Sequence, residues 1–390
     1  MKARTPAVVL YSRRVPGSRG LIPETLAHLT GAVAVEGAPP RPRGLLSRWL
    51  DRNAYSSLSY VIDWLDAFRR APLLDVSCCN IMNLAEWPRA RRLAATAPLV
   101  IVLHSAAGDD VSVVGRFVEA LQARRGRLLL FFGNEYTLMP QKIRFAQSVE
   151  ADFIASQLPP AAGAWLYAEC PKSKVLHAPA ALNPLRFRPL GLPRDVDVGF
   201  RGDLYPLSIG DDERTRVLER FRTQGERWGL RVDIRYERVP GPRWNECLNR
   251  WHGIVGAESG TYFLERDDVT ERKVKAHLSL HSQESFEEVR RLFFDTHPNP
   301  VSGKAISSRH FEPIGTRTAQ LLLTGTYNDI LRADEHYFAI ARDLSDVETV
   351  VERYRDPAER ARIVEAAWQL AMQGHTYDHR VAALVEAALA

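Results

Sequence analysis

Cysteine, long apolar runs and internal repetition are what this chain has least of. Four cysteines, Cys78, Cys79, Cys170 and Cys247, are spread through 390 residues. Their spacing is not that of a metal site and their density is not that of a disulfide scaffold, so reduced thiols are expected. No stretch approaches the roughly 18 to 20 apolar residues that cross a bilayer. The opening Met-Lys-Ala-Arg-Thr-Pro-Ala-Val-Val-Leu-Tyr has too short an apolar run for a secretory signal and reads as a first strand. A cytoplasmic location is the expectation. No repeat and no low-complexity tract interrupts the chain. Lysine is scarce beside arginine, and the net charge is +5. That excess suits nucleotide phosphates, an anionic membrane surface or nucleic acid. The basic residues are dispersed and aromatics are not interleaved with them, which argues against a nucleic-acid platform.

What is present is ordinary for a globular protein, 45% hydrophobic and 25% charged. A chain this long divides naturally into two domains. In the first half, apolar runs at Ala7–Tyr11, Leu73–Ser77, Leu99–His104, Arg127–Phe132, Asp152–Ala155 and Lys174–Ala178 read as strands. Amphipathic segments Ser57–Arg70, Val111–Arg125 and Pro140–Val149 separate some of them as helices. Strands buried on both faces and alternating with helices predict a doubly wound parallel sheet. A proline-rich stretch then breaks the pattern, and a second α/β series follows. The expected division is an N-terminal Rossmann-like domain over 1–182, a linker over 183–194 and a C-terminal Rossmann-like domain over 195–372. A helical insertion falls at about 262–297, and a closing helix over 373–390 is expected to pack toward the first domain. Two such halves place a cleft at the carboxyl ends of their strands.

The stretch Ser302–Leu323 carries the most chemistry. It joins Gly303-Lys304, Ser307-Ser308-Arg309, Glu312-Pro313, Gly315-Thr316 and Arg317-Thr318 ahead of an apolar run. Small and hydroxyl residues let backbone amides approach an anion, Lys and Arg offset its charge, and a carboxylate grips sugar hydroxyls. These are the parts needed to hold a sugar nucleotide at a helix start.

Four stretches together resemble the nucleotide-sugar-binding half of GT-B-fold glycosyltransferases, of the group 1 and spore-maturation (CgeB-like) branch. They are Asp195-Val-Asp-Val-Gly-Phe-Arg-Gly-Asp203, Ser308-Arg-His-Phe-Glu312, the segment Asn328–Asp346, and His375-Thr-Tyr-Asp-His-Arg380. The likeness covers about 175–390. It implies two facing Rossmann-like domains, a nucleoside-diphosphate sugar held by the second and an acceptor held by the first. Transfer in this branch usually retains anomeric configuration and usually needs no bound metal, so no cofactor is expected. The group 1 pattern has two glutamates eight residues apart. Glu312 matches the second, beside the ribose, and Lys304 stands where the first would be. Arg317 likewise stands where glycine is usual.

On this reading Gly202, Lys304, Ser308, Arg309, Glu312, Gly315, Thr316 and Arg317 bind the donor. Glu312, ahead of Pro313, is expected where a loop enters a helix, with helix-end charge stabilisation as the plainer role. Arg309 and Lys304 are candidates for the diphosphate, where cations stabilise the leaving group, or for surface ion pairs. Glu258, at a strand end, is the candidate for the missing carboxylate. His104, ending the strand from Leu99, is a candidate catalytic group or a satisfied core histidine. Asn134 and Glu135, after the next strand, are candidate acceptor contacts. Arg214 and Arg216 are placed to reach phosphates, with one solvated helix face as the plainer reading. Asp267-Asp268 and Glu150–Asp152 lack a third ligand for a metal. The loop Pro39–Asp51 reads as a proline-rich lid or a peripheral membrane contact.

The leading function is transfer of a sugar to a glycan, lipid-linked or small-molecule acceptor. The alternatives are a nucleotide-sugar 2-epimerase on the same fold, for which Glu258 is the only obvious carboxylate, and a non-catalytic scaffold.

Overall fold

The computed structural model describes residues 3–13, 21–22, 25–26, 59–108, 110–239, 241–297 and 301–390. Two parallel sheets are built from the apolar runs. The first holds β1 (Thr5–Tyr11), β2 (Leu74–Asn80), β3 (Leu99–Val102), β4 (Arg127–Phe131), β5 (Phe153–Ser156) and β6 (Lys174–His177) in the order β2-β1-β3-β4-β5-β6. The second holds β7 (Val196–Arg201), β8 (Val232–Arg235), β9 (Trp251–Gly256), β10 (Ala319–Leu323) and β11 (Phe338–Ile340) in the order β11-β10-β9-β7-β8. Every pairing is parallel. The cause is visible in β3, where Leu99, Val100, Ile101 and Val102 are all buried. A strand apolar on both faces needs helices above and below, and parallel pairing with helical crossovers supplies them.

On one face of the first sheet lie α1 (Ser59–Arg70) and, from the far end of the chain, α13 (Tyr377–Leu389). Trp64 and Phe68 of the former and Tyr377, Val381, Leu384 and Val385 of the latter share a core with Val9, Ile101, Leu129 and Phe131. The Trp64 ring meets Phe131 and Tyr377 edge-on, each at 5.0 Å. On the other face are α2 (Trp87–Thr96), α3 (Val118–Gln122), α4 (Met139–Ser148) and α5 (Pro160–Leu166). The return to the first sheet is pinned by backbone bonds, His375 O accepting from Leu182 N at 2.9 Å and Leu182 O from Tyr377 N at 3.0 Å. Thr376 caps the returning helix, its hydroxyl accepting from His379 N.

The second sheet is covered by α6 (Glu213–Gln224), α7 (Gly241–Arg250), α10 (Ser308–Gly315), α11 (Val347–Arg355) and α12 (Pro357–Gly374). Between β9 and β10 an insertion carries α8 (Val269–Leu280) and α9 (Phe286–Phe293). The helix expected over Val111–Arg125 is broken. A tight turn over Val114–Phe117 precedes the five-residue α3, because Gly115 and a run of β-branched valines weaken helix there. Helices α2 and α5 each begin with a proline in the first turn, a start signal that short amphipathic patterns leave easy to overlook. Pro39–Asp51 lies outside the described residues.

Truncating Trp64 should test how far the first core depends on its shared corner. Trp64→Ala is expected to cost about 3–5 kcal/mol, measured as a lowered urea midpoint with an unchanged slope.

Candidate functional site

The two sheets face each other with their carboxyl ends around a cleft of about 490 Å³. One wall comes from loops after β4, β5 and β6, with Asn134, Glu135, Tyr136, Gln157, Leu158 and Ala180. The other comes from the loops after β7 and β9, the entry to α6 and α7, and the first turns of α10. Strands β7 and β9 are neighbours whose connections leave in opposite directions, so their loops part and leave a crevice.

Arginine dominates the second wall. Arg201 is neutralised, its Nη2 lying 2.5 Å from Asp233 and its Nη1 donating to the Phe200 and Asp233 carbonyls. Arg238 pairs with Asp203 at 2.6 Å. Arg214 and Arg309 differ, because neither has a carboxylate at ion-pair distance among the described residues. Arg309 donates from Nη1 to the Arg201 carbonyl at 2.9 Å and lies over the Phe200 ring. Gly202, at φ +144, makes room for it, since a Cβ there would stand 2.5 Å from Arg309 Nη1. Arg214 is 7% exposed, donates from Nη2 to the Asp203 carbonyl at 2.7 Å and stacks 3.6 Å above the Tyr205 ring. Its Nε has no partner among the described residues. Burial, followed by the neighbouring Arg214 charge, pulls the Arg309 guanidinium down to about 10. Two adjacent cations held by carbonyls and aromatic faces are a receptor for an anion of charge near two.

The amino end of α10 opens into the same space. Ser307 precedes it, and Ser307, Ser308 and Arg309 all line the cleft. First-turn amides have no intrahelical acceptor and carry the positive end of the helix dipole. The helix starts earlier than expected. Glu312 therefore sits one turn inside rather than at the entrance, with Pro313 in the helix interior. Its carboxylate still lines the cleft, 5% exposed, with Oε2 accepting from the Trp244 indole at 2.7 Å.

On the first wall Glu135 is buried. Its Oε1 accepts from the Tyr167 hydroxyl at 2.7 Å and its Oε2 from Gln157 N at 2.8 Å. Burial raises its pKa, the two hydrogen bonds opposing. The loop that begins with Asn134 is fixed by Lys142, whose Nζ donates to the carbonyls of Gly133, Asn134 and Thr137. The insertion holds it from the other domain. Asp268 accepts from Met139 N at 2.9 Å, and Thr137 donates to Glu271 at 2.8 Å.

Six residues expected at the site lie elsewhere. His104 is 2% exposed within the first core, close to Phe131, and burial pulls it down to about 3. It does not line the cleft, because the chain beyond β3 folds back over it. The Glu258 carboxylate points into the loop after β10, accepting from Tyr327 N at 2.6 Å and Thr326 Oγ1 at 3.1 Å. Lys304 is buried in an ion pair with Asp211 at 2.5 Å and cannot reach across to a diphosphate. Gly315 packs against the Phe187 carbonyl, Thr316 is fully buried with its hydroxyl on Pro313 O and Thr318, and Arg317 pairs with Glu365 over the Trp368 ring. Those three lie at the far end of α10. Gly202, Ser308, Arg309 and Glu312 are brought together, as are Asn134 and Glu135 across the cleft. Arg201, Tyr205, Arg238 and Trp244 carry no signal in the sequence reading, and of the two readings of Arg214 the solvated face is the one the structure overturns. Arg214 carried a usable signal, as an Arg in the first turn of the helix after a strand–Gly turn.

Residues 213–386, rather less than half of the chain, match the family described as glycosyl transferase-like. No curated protein matches the sequence. Among solved structures the chain is similar to an alpha-glucosyltransferase in complex with UDP and a 13-mer DNA, at 10% identity and a TM-score of 0.55 over 100% of both chains. It is also similar to HepE of Anabaena in complex with UDP-glucose, at 11% identity and TM-score 0.47, covering 98% of this chain and 100% of that one. A sucrose-phosphate synthase from Thermosynechococcus elongatus has 12% identity and TM-score 0.46, with 99% and 98% covered. The alpha-glucosyltransferase likeness, joined to the two facing parallel sheets, decides the architecture. The fold is GT-B. No helix among the described residues is long and apolar enough to cross a membrane, and no group of three or more His, Cys, Asp or Glu among them is placed to hold a metal ion.

Asp63 of α1, 1% exposed, stands within electrostatic reach of Glu312, and burial pushes it up to about 7 from the usual 3.8 against the opposing bond from Asn183 and charge of Arg186. A raised folded pKa means the native state binds the extra proton, so this group withdraws stability as pH rises through roughly 4 to 7. Asp63→Asn should therefore gain stability relative to wild type across that window and level off above it. Urea midpoints at pH 5 and pH 8 check the sign: the difference must be larger at pH 8.

Proposed function

We propose that the protein is a glycosyltransferase that takes a sugar from a nucleoside-diphosphate donor and passes it to a hydroxyl acceptor. One observation carries the reading. Arg214 and Arg309 stand in the cleft beside the amino end of α10, with no carboxylate at ion-pair distance among the described residues. Breaking a sugar–diphosphate bond builds negative charge on the leaving group, and two preset guanidinium forks with helix-end amides stabilise it as it forms. Glu312 lies one turn along the same helix, with the Trp244 indole of α7 on its carboxylate, suited to donor hydroxyls. The acceptor then lies against Asn134, Glu135 and Gln157, on the opposite wall. A glycan or lipid-linked acceptor fits a cleft open to one side; peripheral membrane contact through Pro39–Asp51 remains part of the proposal. The glycosyl transferase-like match over 213–386 supports the same class.

The two alternatives lose their supports. A 2-epimerase would need a carboxylate at the sugar ring, and Glu258, its candidate, is committed to the backbone of Tyr327. A dead scaffold is the reading that the two departures from the family pattern, Lys304 and Arg317, keep open. Both side chains are absorbed in ion pairs, and Arg214 and Arg309 still line the cleft.

Calorimetry with UDP, ADP and GDP tests the assignment. At least one should bind wild type. Arg214→Ala and Arg309→Ala should each weaken it by roughly 10- to 100-fold, the loss of one charged hydrogen-bonding group. Arg317→Ala should leave affinity unchanged. Wild-type affinity in both cleft variants would remove the assignment.

A further inference from the structure

After β10 the chain enters an unusual turn. Tyr327, Asn328 and Asp329 are consecutive non-glycine residues at φ 46, 54 and 59. Three left-handed residues in a row persist only when their surroundings fix them. Glu258 is one fixture, holding Tyr327 N and Thr326. Gly325 lets the carboxylate approach, since a Cβ there would lie 2.3 Å from Oε2. Tyr327 is the other, buried, with its hydroxyl on the Leu323 carbonyl at 2.6 Å.

What this turn presents is the Asn328 amide, 7% exposed and fully used. Its Oδ1 accepts from Ile306 N at 2.8 Å, which fixes the amide orientation. Its Nδ2 donates to the Gln157 carbonyl and meets His177 Nε2, both at 3.0 Å. Because an amide nitrogen only donates, His177 Nε2 is the acceptor in that pair. Ile306 lies on the donor wall, two residues before α10. Gln157 lies on the acceptor wall, and its own N–H holds Glu135.

We propose that Asn328 is a positioning residue, a clasp whose single amide sets the separation and register of the two cleft walls. It touches neither of the arginines, and on the acceptor wall it holds only the Gln157 carbonyl, not Asn134 or Glu135. It acts through Ile306 on one side and through Gln157, hence Glu135, on the other. The role in transfer rests on the glycosyltransferase reading, but the clasp itself is a property of the ligand-free protein. The left-handed turn is then explained: it is the backbone shape that brings one side chain into reach of both domains.

Hydrogen exchange on the full chain tests this, using wild type, Asn328→Gly and Asn328→Asp. Glycine tolerates the φ of 54 and removes only the side chain. Aspartate keeps the bond from Ile306 but sets an oxygen against the Gln157 carbonyl. In both variants, without ligand, amides of 134–136 and 157–158 should exchange at least about tenfold faster, as local openings become easier. In Asn328→Gly, residues 305–309 should accelerate as well. Strand amides of both sheets should be unchanged. No acceleration on the first wall overturns the clasp, and so does acceleration spread equally through the sheet cores, which would mark Asn328 as a residue of general stability. UDP supplies the readout for positioning. In wild type it should protect 305–309 and also 134–136; in Asn328→Asp protection should stop at 305–309. Protection reaching 134–136 in that variant overturns the coupling. If UDP protects nothing in wild type, the donor reading fails, and the clasp is then judged by the ligand-free comparison alone.

Discussion

Two guanidinium groups with no carboxylate at ion-pair distance among the described residues are the constraint around which the cleft is built. Burial and, after it, the neighbouring Arg214 charge both work against the Arg309 guanidinium. Carbonyl oxygens of Asp203 and Arg201 and the rings of Tyr205 and Phe200 offset this without cancelling the charge. Partial dipoles and quadrupoles leave a positive field in the cavity that a directly paired carboxylate would cancel; Glu312, on the same wall, is held by the Trp244 indole instead. The nearby acids confirm the pattern by where they go. Asp233 and Asp203 neutralise Arg201 and Arg238 at the edges, and Asp211 takes Lys304 out of play. An anion entering the cleft meets Arg214 and Arg309.

Much of the scaffold was legible because its signal is one-dimensional. All six strands of the first sheet fall on the apolar runs, and β7, β8, β9 and β10 fall on runs at Asp195–Phe200, Arg231–Tyr236, His252–Ala257 and Ala319–Leu323, since a strand inside a parallel sheet is a short apolar block. The exception, β11, is three residues at a sheet edge, too short to stand out. The broken helix near Gly115 was misread because amphipathic spacing outlives one glycine on paper but not in the chain. The closing helix on the first sheet shows as an apolar stripe, though its partner, α1, lies more than 300 residues earlier.

The site was half legible, for a physical reason. Position along a loop is set locally, so Ser308, Arg309, Glu312, Asn134 and Glu135 could be placed near the strand ends. A charged side chain's partner is set by the tertiary fold. Nothing in Gly303-Lys304 says that Asp211 will come within 2.5 Å, and nothing in Thr316-Arg317 says that Glu365 lies across the next helix. Glu258 is the clearest instance. It ends β9 where a catalytic acid would be expected, yet its carboxylate fastens a backbone turn. Arg214 is the converse, a side chain that looks solvated on a helix wheel and turns inward over Tyr205.

The misplaced residues nevertheless act on the site at one remove. Glu258 secures the left-handed turn, whose three residues each cost on the order of 1–3 kcal/mol, and that turn carries the amide joining the walls. Lys304, tied to Asp211 and to the Glu258 carbonyl, anchors the strand of chain that leads to Ile306 and the start of α10. The isolated bridge between Ser259 and Ala305 lies between these two anchors. The loop before α10 is thus held on both sides before any ligand arrives. A helix end that must meet a diphosphate with its first-turn amides gains from such rigidity, because amides already aimed at the developing charge need no reorganisation when the bond breaks. The acid and lysine that looked like reactants are better understood as the frame that keeps the arginines and the helix end in place.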